Sequence, residues 1–97
     1  MLQDGIYTLL QQEKDKITIK LSDKTHPLFQ AHFPNNPILP GFIHFDIVSN
    51  IFNIKITHIK KAKFLKIVVP EQVLTYEKNN NKFKVYCENT EIANFVL

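Results

Sequence analysis

His32 and Asp46 are the residues of this chain whose types and spacing point most directly to chemistry. They bracket the segment HFPNNPILPGFIHFD, in which the carboxylate follows the imidazole by fourteen residues. Between them lie three prolines and a Pro40-Gly41 step. Pro34, Pro37 and Pro40 each fix φ and remove a backbone donor. They also push Phe33, Asn36 and Leu39 toward extended conformations. Residues 33–40 are therefore expected as a stiff extended loop, neither helix nor the middle of a sheet. After Pro40 the pattern turns helical. Phe42, Phe45, Val48 and Phe52 recur at helical spacing, Ile43, Ile47, Ile51 and Ile54 fill the flanks, and no proline or glycine interrupts 42–54. This predicts one helix over 42–54, apolar nearly all round and so buried. Gly41 at its start leaves free backbone N–H groups at the positive end of the helix dipole. With no side chain there, a ligand oxygen can approach the backbone closely. An oxygen gaining negative charge during a reaction would be stabilised at that spot.

Asp46 lies about one turn into this helix, among Phe42, Ile43, Phe45 and Ile47. A buried carboxylate is costly unless paired or neutral. An exposed Asp near a helix N-terminus would be favoured by the dipole and chemically idle. The upstream histidine and glycine, in register with it, favour the functional reading. His26, His44 and His58 are expected to cap turns or pack against rings, with His58 solvated in a Lys-rich strand. His44 is two residues from Asp46 and so points to a different side of the helix. No histidine or cysteine spacing forms a metal motif, so no metal is expected.

The elements that must position this segment read as strands. Ile6–Leu10 and Ile17–Leu21 flank the charged turn QQEKDK and read as a hairpin. Lys55–Val69 alternates loosely and is broken at Pro70. Val73–Lys78 and Phe83–Glu88 flank Asn79-Asn80-Asn81, a hairpin turn because Asn tolerates left-handed conformations. Glu91–Leu97 is a last strand. Two strands, a loop, a helix and four strands make one antiparallel sheet curling round one helix, an α+β domain over residues 1–97.

Ninety-seven residues bury a modest fraction of their surface, so a dimer would cover the apolar helix better than one short sheet. No apolar run reaches the about 18 residues that span a membrane. MLQDGIYTLLQQEKDK lacks a cleavable signal pattern. The single Cys87 cannot form an intrachain disulfide and alternates with apolar neighbours, as a small packing residue rather than a nucleophile. These features suit a reducing cytoplasm.

The segment 32–46 resembles the active-site segment of the 3-hydroxyacyl-acyl-carrier-protein dehydratases, the FabZ- and FabA-like enzymes of the hotdog fold. The matching residues are His32, Phe33, Pro34, Pro37, Ile38, Leu39, Pro40, Gly41 and Asp46; family members carry Glu or Asp at the last place. Ala62–Pro70, AKFLKIVVP, is similar to the family strand in which an aromatic between basic residues leads to a V-V-P turn. Together the two segments cover about half the chain. Two positions depart from the pattern: Asn35 stands where many relatives have glycine, and Asn50 where many have glutamine. The short chain is closer to compact, ApeI-like dehydratases attached to specialised lipid or polyene pathways.

The resemblance implies a (3R)-3-hydroxyacyl thioester on the phosphopantetheine arm of an acyl carrier protein, with no other cofactor. It implies that neutral His32 takes the proton beside the thioester carbonyl. The Gly41 N–H, helped by that of Phe42, would hold the enolate oxygen. Asp46 would bind the 3-hydroxyl and help it leave, as an acid or as an orienting group. Phe29, Phe33, Leu39, Phe42, Ile43 and Phe45 are candidates for the acyl tunnel or for plain core packing. Pro40 and Asn50 are further candidates to contact substrate. Family dimers join the histidine of one subunit to the acid of the other, which implies a homodimer or higher even oligomer.

Lys55, Lys60, Lys61, Lys63 and Lys66 form a basic cluster in a chain of net charge +3. They read either as a solvated strand face or, for Lys60, Lys61, Lys63 and Lys66, as a dock for an acidic carrier protein. Nucleic acid is disfavoured, since arginine is absent and no RNP-like pattern or helix-turn-helix is present. Two other functions fit a hotdog fold: an acyl thioesterase, and a non-catalytic acyl-binding or scaffold subunit.

Overall fold

The computed structural model describes residues 5–31 and 35–97. The elements run β1 (Tyr7–Gln12), β2 (Lys16–Leu21), α1 (Pro27–Ala31), α2 (Ile43–Ile51), β3 (Lys61–Phe64), β4 (Val73–Asn79), β5 (Lys82–Cys87) and β6 (Thr90–Val96). One six-stranded antiparallel sheet has the order β1-β2-β4-β5-β6-β3.

Alternation along the central strands makes the core. In register, Ile17 faces Tyr76 and Ile19 faces Leu74 across β2 and β4. Tyr76 pairs with Val85, and Phe83 with Phe95. All of these side chains are buried, and α2 lays Ile43, His44, Ile47, Val48 and Ile51 on the same core. Side chains three and four apart on a helix share a face, so this set is one stripe.

The helix is shorter and less enclosed than its apolar residues suggest. It ends at Ile51, not 54, because Asn53 takes a left-handed φ of 53°. The Ile54 N–H then reaches back to the Ser49 carbonyl at 3.1 Å, the closing bond of a Schellman turn. Phe42 is 57 % exposed and Asn50 is exposed. The chain's own sheet therefore covers one face of α2, not the whole circumference.

Two further differences concern neighbouring segments. The expected strand 55–69 is a strand only at Lys61–Phe64, which pairs with Ala93–Val96 of β6. Beyond Phe64 the ladder breaks, because the N–H groups of Leu65 and Lys66 both turn to the Ile92 carbonyl. β3 is thus an edge strand, and all four of its residues are exposed. The short helix α1 was not foreseen. Pro27 opens it, a position where a missing N–H costs nothing. His26 Nδ1 accepts the Leu28 N–H at 3.0 Å, and Leu28 and Phe29 anchor the turn in the core. Asn80 (φ 58°) takes the left-handed place expected between β4 and β5, and Glu88 (φ 51°) and Asn89 (φ 64°) take it between β5 and β6. The first hairpin turn is shorter than QQEKDK, since β1 runs to Gln12 and β2 starts at Lys16.

Candidate active site

The site begins where the loop before α2 is tied down. The Leu39 N–H donates to the Val68 carbonyl at 2.7 Å, which fixes the proline-rich loop against the segment after β3. Pro40, Gly41 and Phe42 then accept from the N–H groups of Ile43, His44 and Phe45 at 3.0, 3.1 and 3.2 Å. These are three-residue steps, so the helix opens in a tight first turn. The Gly41 N–H lies outside these bonds and has no partner among the described residues.

Gly41 sits at a close approach of two segments. A Cβ at this position would lie 3.0–3.2 Å from three atoms of the Phe64 ring. Phe64 reaches across from the end of β3, where it is half-exposed. Between the two segments lies a cavity of about 350 Å³, lined by Ile38, Leu39, Pro40, Gly41 and His44 on one side and by Phe64–Val68 on the other. Its walls are apolar apart from the Gly41 backbone, His44 and Lys66. A larger open depression of about 640 Å³ lies elsewhere, around Glu71, Glu77, Tyr86 and Cys87. It contains none of the candidate catalytic or substrate-binding residues, and the smaller cavity is the one joined to the helix start.

The remaining candidates divide by position. Asp46 is half-buried. It lies four residues after Phe42 and four before Asn50, on the stripe of α2 that the sheet does not cover. Asn50 donates to the Tyr7 hydroxyl, so its amide ties α2 to β1. Phe29 and Ile43 are core residues, whereas buried Leu39 borders the cavity. Phe45 packs edge-on to Phe95, with centroids 5.0 Å apart, and to Phe64 at 6.1 Å. Its surroundings are those of an aromatic cluster at the core edge. Lys60, Lys61, Lys63 and Lys66 are exposed. Lys61 and Lys63 alternate along β3 with Ala62 and Phe64, and Lys66 reaches the cavity. His32 and Phe33 lie outside the described residues; Ala31, the last residue of α1, immediately precedes His32.

His44, expected to cap a turn or pack against a ring, does pack against one, and it also lines the cavity. It is only 3 % exposed. Its Nδ1 lies 2.7 Å from the Tyr76 hydroxyl, and its ring stacks on Phe64 at 6.0 Å and 17°. Burial lowers its pKa to about 4, so the imidazole is neutral at physiological pH. The signal was present in the sequence, since residues 44, 47, 48 and 51 fall on one helical stripe. His58, by contrast, is exposed, and it precedes β3 rather than lying in a strand. Cys87 is half-buried, and burial raises its thiol pKa, with Glu88 adding to the effect; a raised thiol makes a poor nucleophile.

Among the described residues no group of three His, Cys, Asp or Glu side chains is placed to hold a metal, and no helix is long and apolar enough to cross a membrane.

An antiparallel sheet packed on one helix, with a glycine-started helix opening on an apolar cavity, defines a hotdog-type domain. The family model for ApeI-like proteins, described as ApeI dehydratase, matches residues 10–95. The chain belongs to this dehydratase family. The 3-hydroxyacyl-[acyl-carrier-protein] dehydratase FabZ of Ehrlichia canis (strain Jake) is 31 % identical over 102 aligned positions, which cover 79 % of this chain and 69 % of that one. The FabZ of Thermoanaerobacter sp. (strain X514) is 30 % identical over 81 positions, covering 70 % of this chain. The match spans only 57 % of that relative's length. Among solved structures, the dehydratase heterocomplex ApeI:P from Xenorhabdus doucetiae contains a chain that superposes with a TM-score of 0.68 at 20 % identity, covering 96 % of this chain and 95 % of that one. This likeness shows the hotdog fold.

Proposed function

We propose that this chain, as one hotdog domain, removes water from a (3R)-3-hydroxyacyl thioester carried on an acyl carrier protein and gives the trans-2-enoyl thioester. The observation that carries the reading is the opening turn of α2. Gly41 lines an apolar cavity with an N–H that has no partner among the described residues, and half-buried Asp46 stands one turn further along α2. His32 enters from its place in the family segment.

In this scheme the His32 imidazole removes the proton from the carbon beside the thioester carbonyl. The electron pair moves onto the carbonyl oxygen, where the Gly41 N–H and the positive helix end hold the enolate. As the enolate collapses, the C2–C3 double bond forms and the C3–O bond breaks. The hydroxyl leaves as water with a proton from Asp46, or from the imidazolium of His32 while Asp46 orients it. The phosphopantetheine arm is part of the substrate, and no metal takes part.

Completion of the site by a second subunit supports an even oligomer. β3 is an edge strand beside exposed Ile59, Leu65 and Ile67, and two sheets joined along this edge would bring the second subunit beside the uncovered stripe of α2. The simplest assembly is a homodimer. The dehydratase heterocomplex ApeI:P of Xenorhabdus doucetiae supports a non-identical second subunit as the alternative.

The test is product identity. Incubated with an enoyl N-acetylcysteamine thioester, the protein should hydrate the conjugated double bond, the reverse reaction, without releasing free thiol. Thiol release without hydration would make it a thioesterase. Binding with neither reaction would make it an acyl-binding scaffold.

A further inference from the structure

The His44–Tyr76 pair is a polar device inside an otherwise apolar wall, and the dehydratase scheme does not use it. Tyr76 is fully buried at the middle of β4. Its hydroxyl has one partner among the described residues, Nδ1 of His44 at 2.7 Å. A buried hydroxyl proton with no acceptor costs about as much as a lost hydrogen bond. The Tyr76 O–H must therefore donate to Nδ1, and Nδ1 must be the unprotonated ring nitrogen. A neutral imidazole carries one proton, so that proton sits on Nε2.

Nε2 is then the ring nitrogen left for another partner. No hydrogen bond among the described residues uses it, yet none of their buried side-chain nitrogens or oxygens lacks a partner. The ring lines the cavity beside Gly41, so the accessible edge of His44 is the one that opens there. Phe64 stacks on one ring face. Long side chains on a helix lean back toward the preceding turn, which brings this donor over the Pro40–Gly41 turn.

We infer that the cavity between the Pro40–Gly41 turn and Phe64–Val68 binds a neutral oxygen acceptor on an apolar chain, with the Nε2–H of His44 as donor and Tyr76 as the group that sets its tautomer. The apolar walls, Ile38, Leu39, Leu65, Ile67 and Val68, take the chain. A neutral donor selects a carbonyl or hydroxyl oxygen over a carboxylate, which such walls would desolvate at high cost. The inference rests on the dehydratase reading only in naming the ligand an acyl thioester. Its oxygen is then either the thioester carbonyl or an oxygen further along the acyl chain.

The test uses two N-acetylcysteamine thioesters without a 3-hydroxyl group, so that no turnover occurs: a saturated alkanoyl chain, and the same chain with one keto oxygen midway. Nitrogen-15 spectra of the imidazole should show the His44 proton on Nε2. Affinity is compared between the parent protein and two variants, His44→Phe and the double variant His44→Phe/Tyr76→Phe. The double variant removes both polar partners, so it folds even if the single one fails with an orphaned Tyr76 hydroxyl. Loss of one neutral hydrogen bond should weaken binding about fivefold to tenfold. Equal weakening of both ligands assigns the donor to the thioester carbonyl; weakening of the keto ligand alone assigns it to the chain oxygen. A proton on Nδ1, unchanged affinity for both ligands, or no binding to the parent protein overturns the inference. Hydration of an enoyl thioester is scored separately, so a failure here is distinct from a failure of the dehydratase reading.

Discussion

The Phe64 ring lies against the α-carbon of Gly41, so close that a Cβ there would meet it at 3.0 Å. This contact joins the end of the edge strand to the start of the helix and closes one side of the cavity between them. Gly41→Ala should push the ring outward by a few tenths of an ångström. Phe64 is half-exposed and can yield, so thermal unfolding should show a loss of about 1 kcal/mol or less. Enoyl-thioester hydration should fall more, by about tenfold, because the methyl group and the displaced ring crowd the Gly41 N–H. In a Phe64→Ala background the same substitution should cost almost no stability, a non-additivity expected of residues in contact.

Stability should depend on pH through His44. Its folded pKa is lowered to about 4 by burial, against 6.5 for the free side chain. Between these values the unfolded chain binds a proton that the folded chain refuses, so stability rises with pH across this window. The contribution is fully present above about pH 6.5 and is lost as pH falls toward 4, by about 3 kcal/mol in total. Urea unfolding at several pH values should show this slope, and the His44→Phe/Tyr76→Phe variant should show a flatter one. Equal slopes in the two proteins would mean that other groups set the acid sensitivity.

The sequence carried much of the sheet and the helix start, and the reasons are local. Pro40-Gly41 marks the end of extended chain, and Ile43, Ile47 and Ile51 follow at helical spacing. The helix end was hidden because Asn53, not glycine or proline, takes the left-handed position. The strand 55–69 was overread because alternation in a sequence does not reveal where a ladder breaks, as it does after Phe64, where two successive N–H groups share the Ile92 carbonyl. α1 depends on a histidine ring nitrogen accepting a backbone N–H, which composition does not display. In the site, the Pro40-Gly41 step was legible as a helix start, whereas the approach of Phe64 to Gly41 depends on the packing of β3 and was not. The pairing of His44 with Tyr76 crosses 32 positions of sequence and becomes visible only once helix and sheet are packed.

Assembly is testable in solution. At micromolar concentration the active protein should sediment as two chains or a higher even number, because the proposed site needs a second subunit. Mixing His32→Ala with Asp46→Asn protein under exchange should restore about a quarter to a half of the sites in a two-fold homodimer. A fully active single-chain species would contradict this assembly.

Carrier docking predicts a split between substrates. Reversing Lys61 and Lys63 to Glu should slow turnover of carrier-bound substrate while leaving a small N-acetylcysteamine thioester nearly unchanged. The defect should lie in association and shrink as salt rises, because screening removes the same attraction from the parent protein. Equal loss on both substrates would assign these lysines to the cavity or the fold, and no loss on either would make them a solvated face.

The most direct measurement of the central claim is hydration of an enoyl thioester by three variants: His32→Ala, Asp46→Asn and the double variant. Two groups that act as a unit should each be indispensable. Either single variant should lose about a hundredfold or more of the parent rate, and the double variant should be little worse than either. Circular dichroism should confirm that each variant is folded. Full activity in a folded His32→Ala or Asp46→Asn protein would contradict the account.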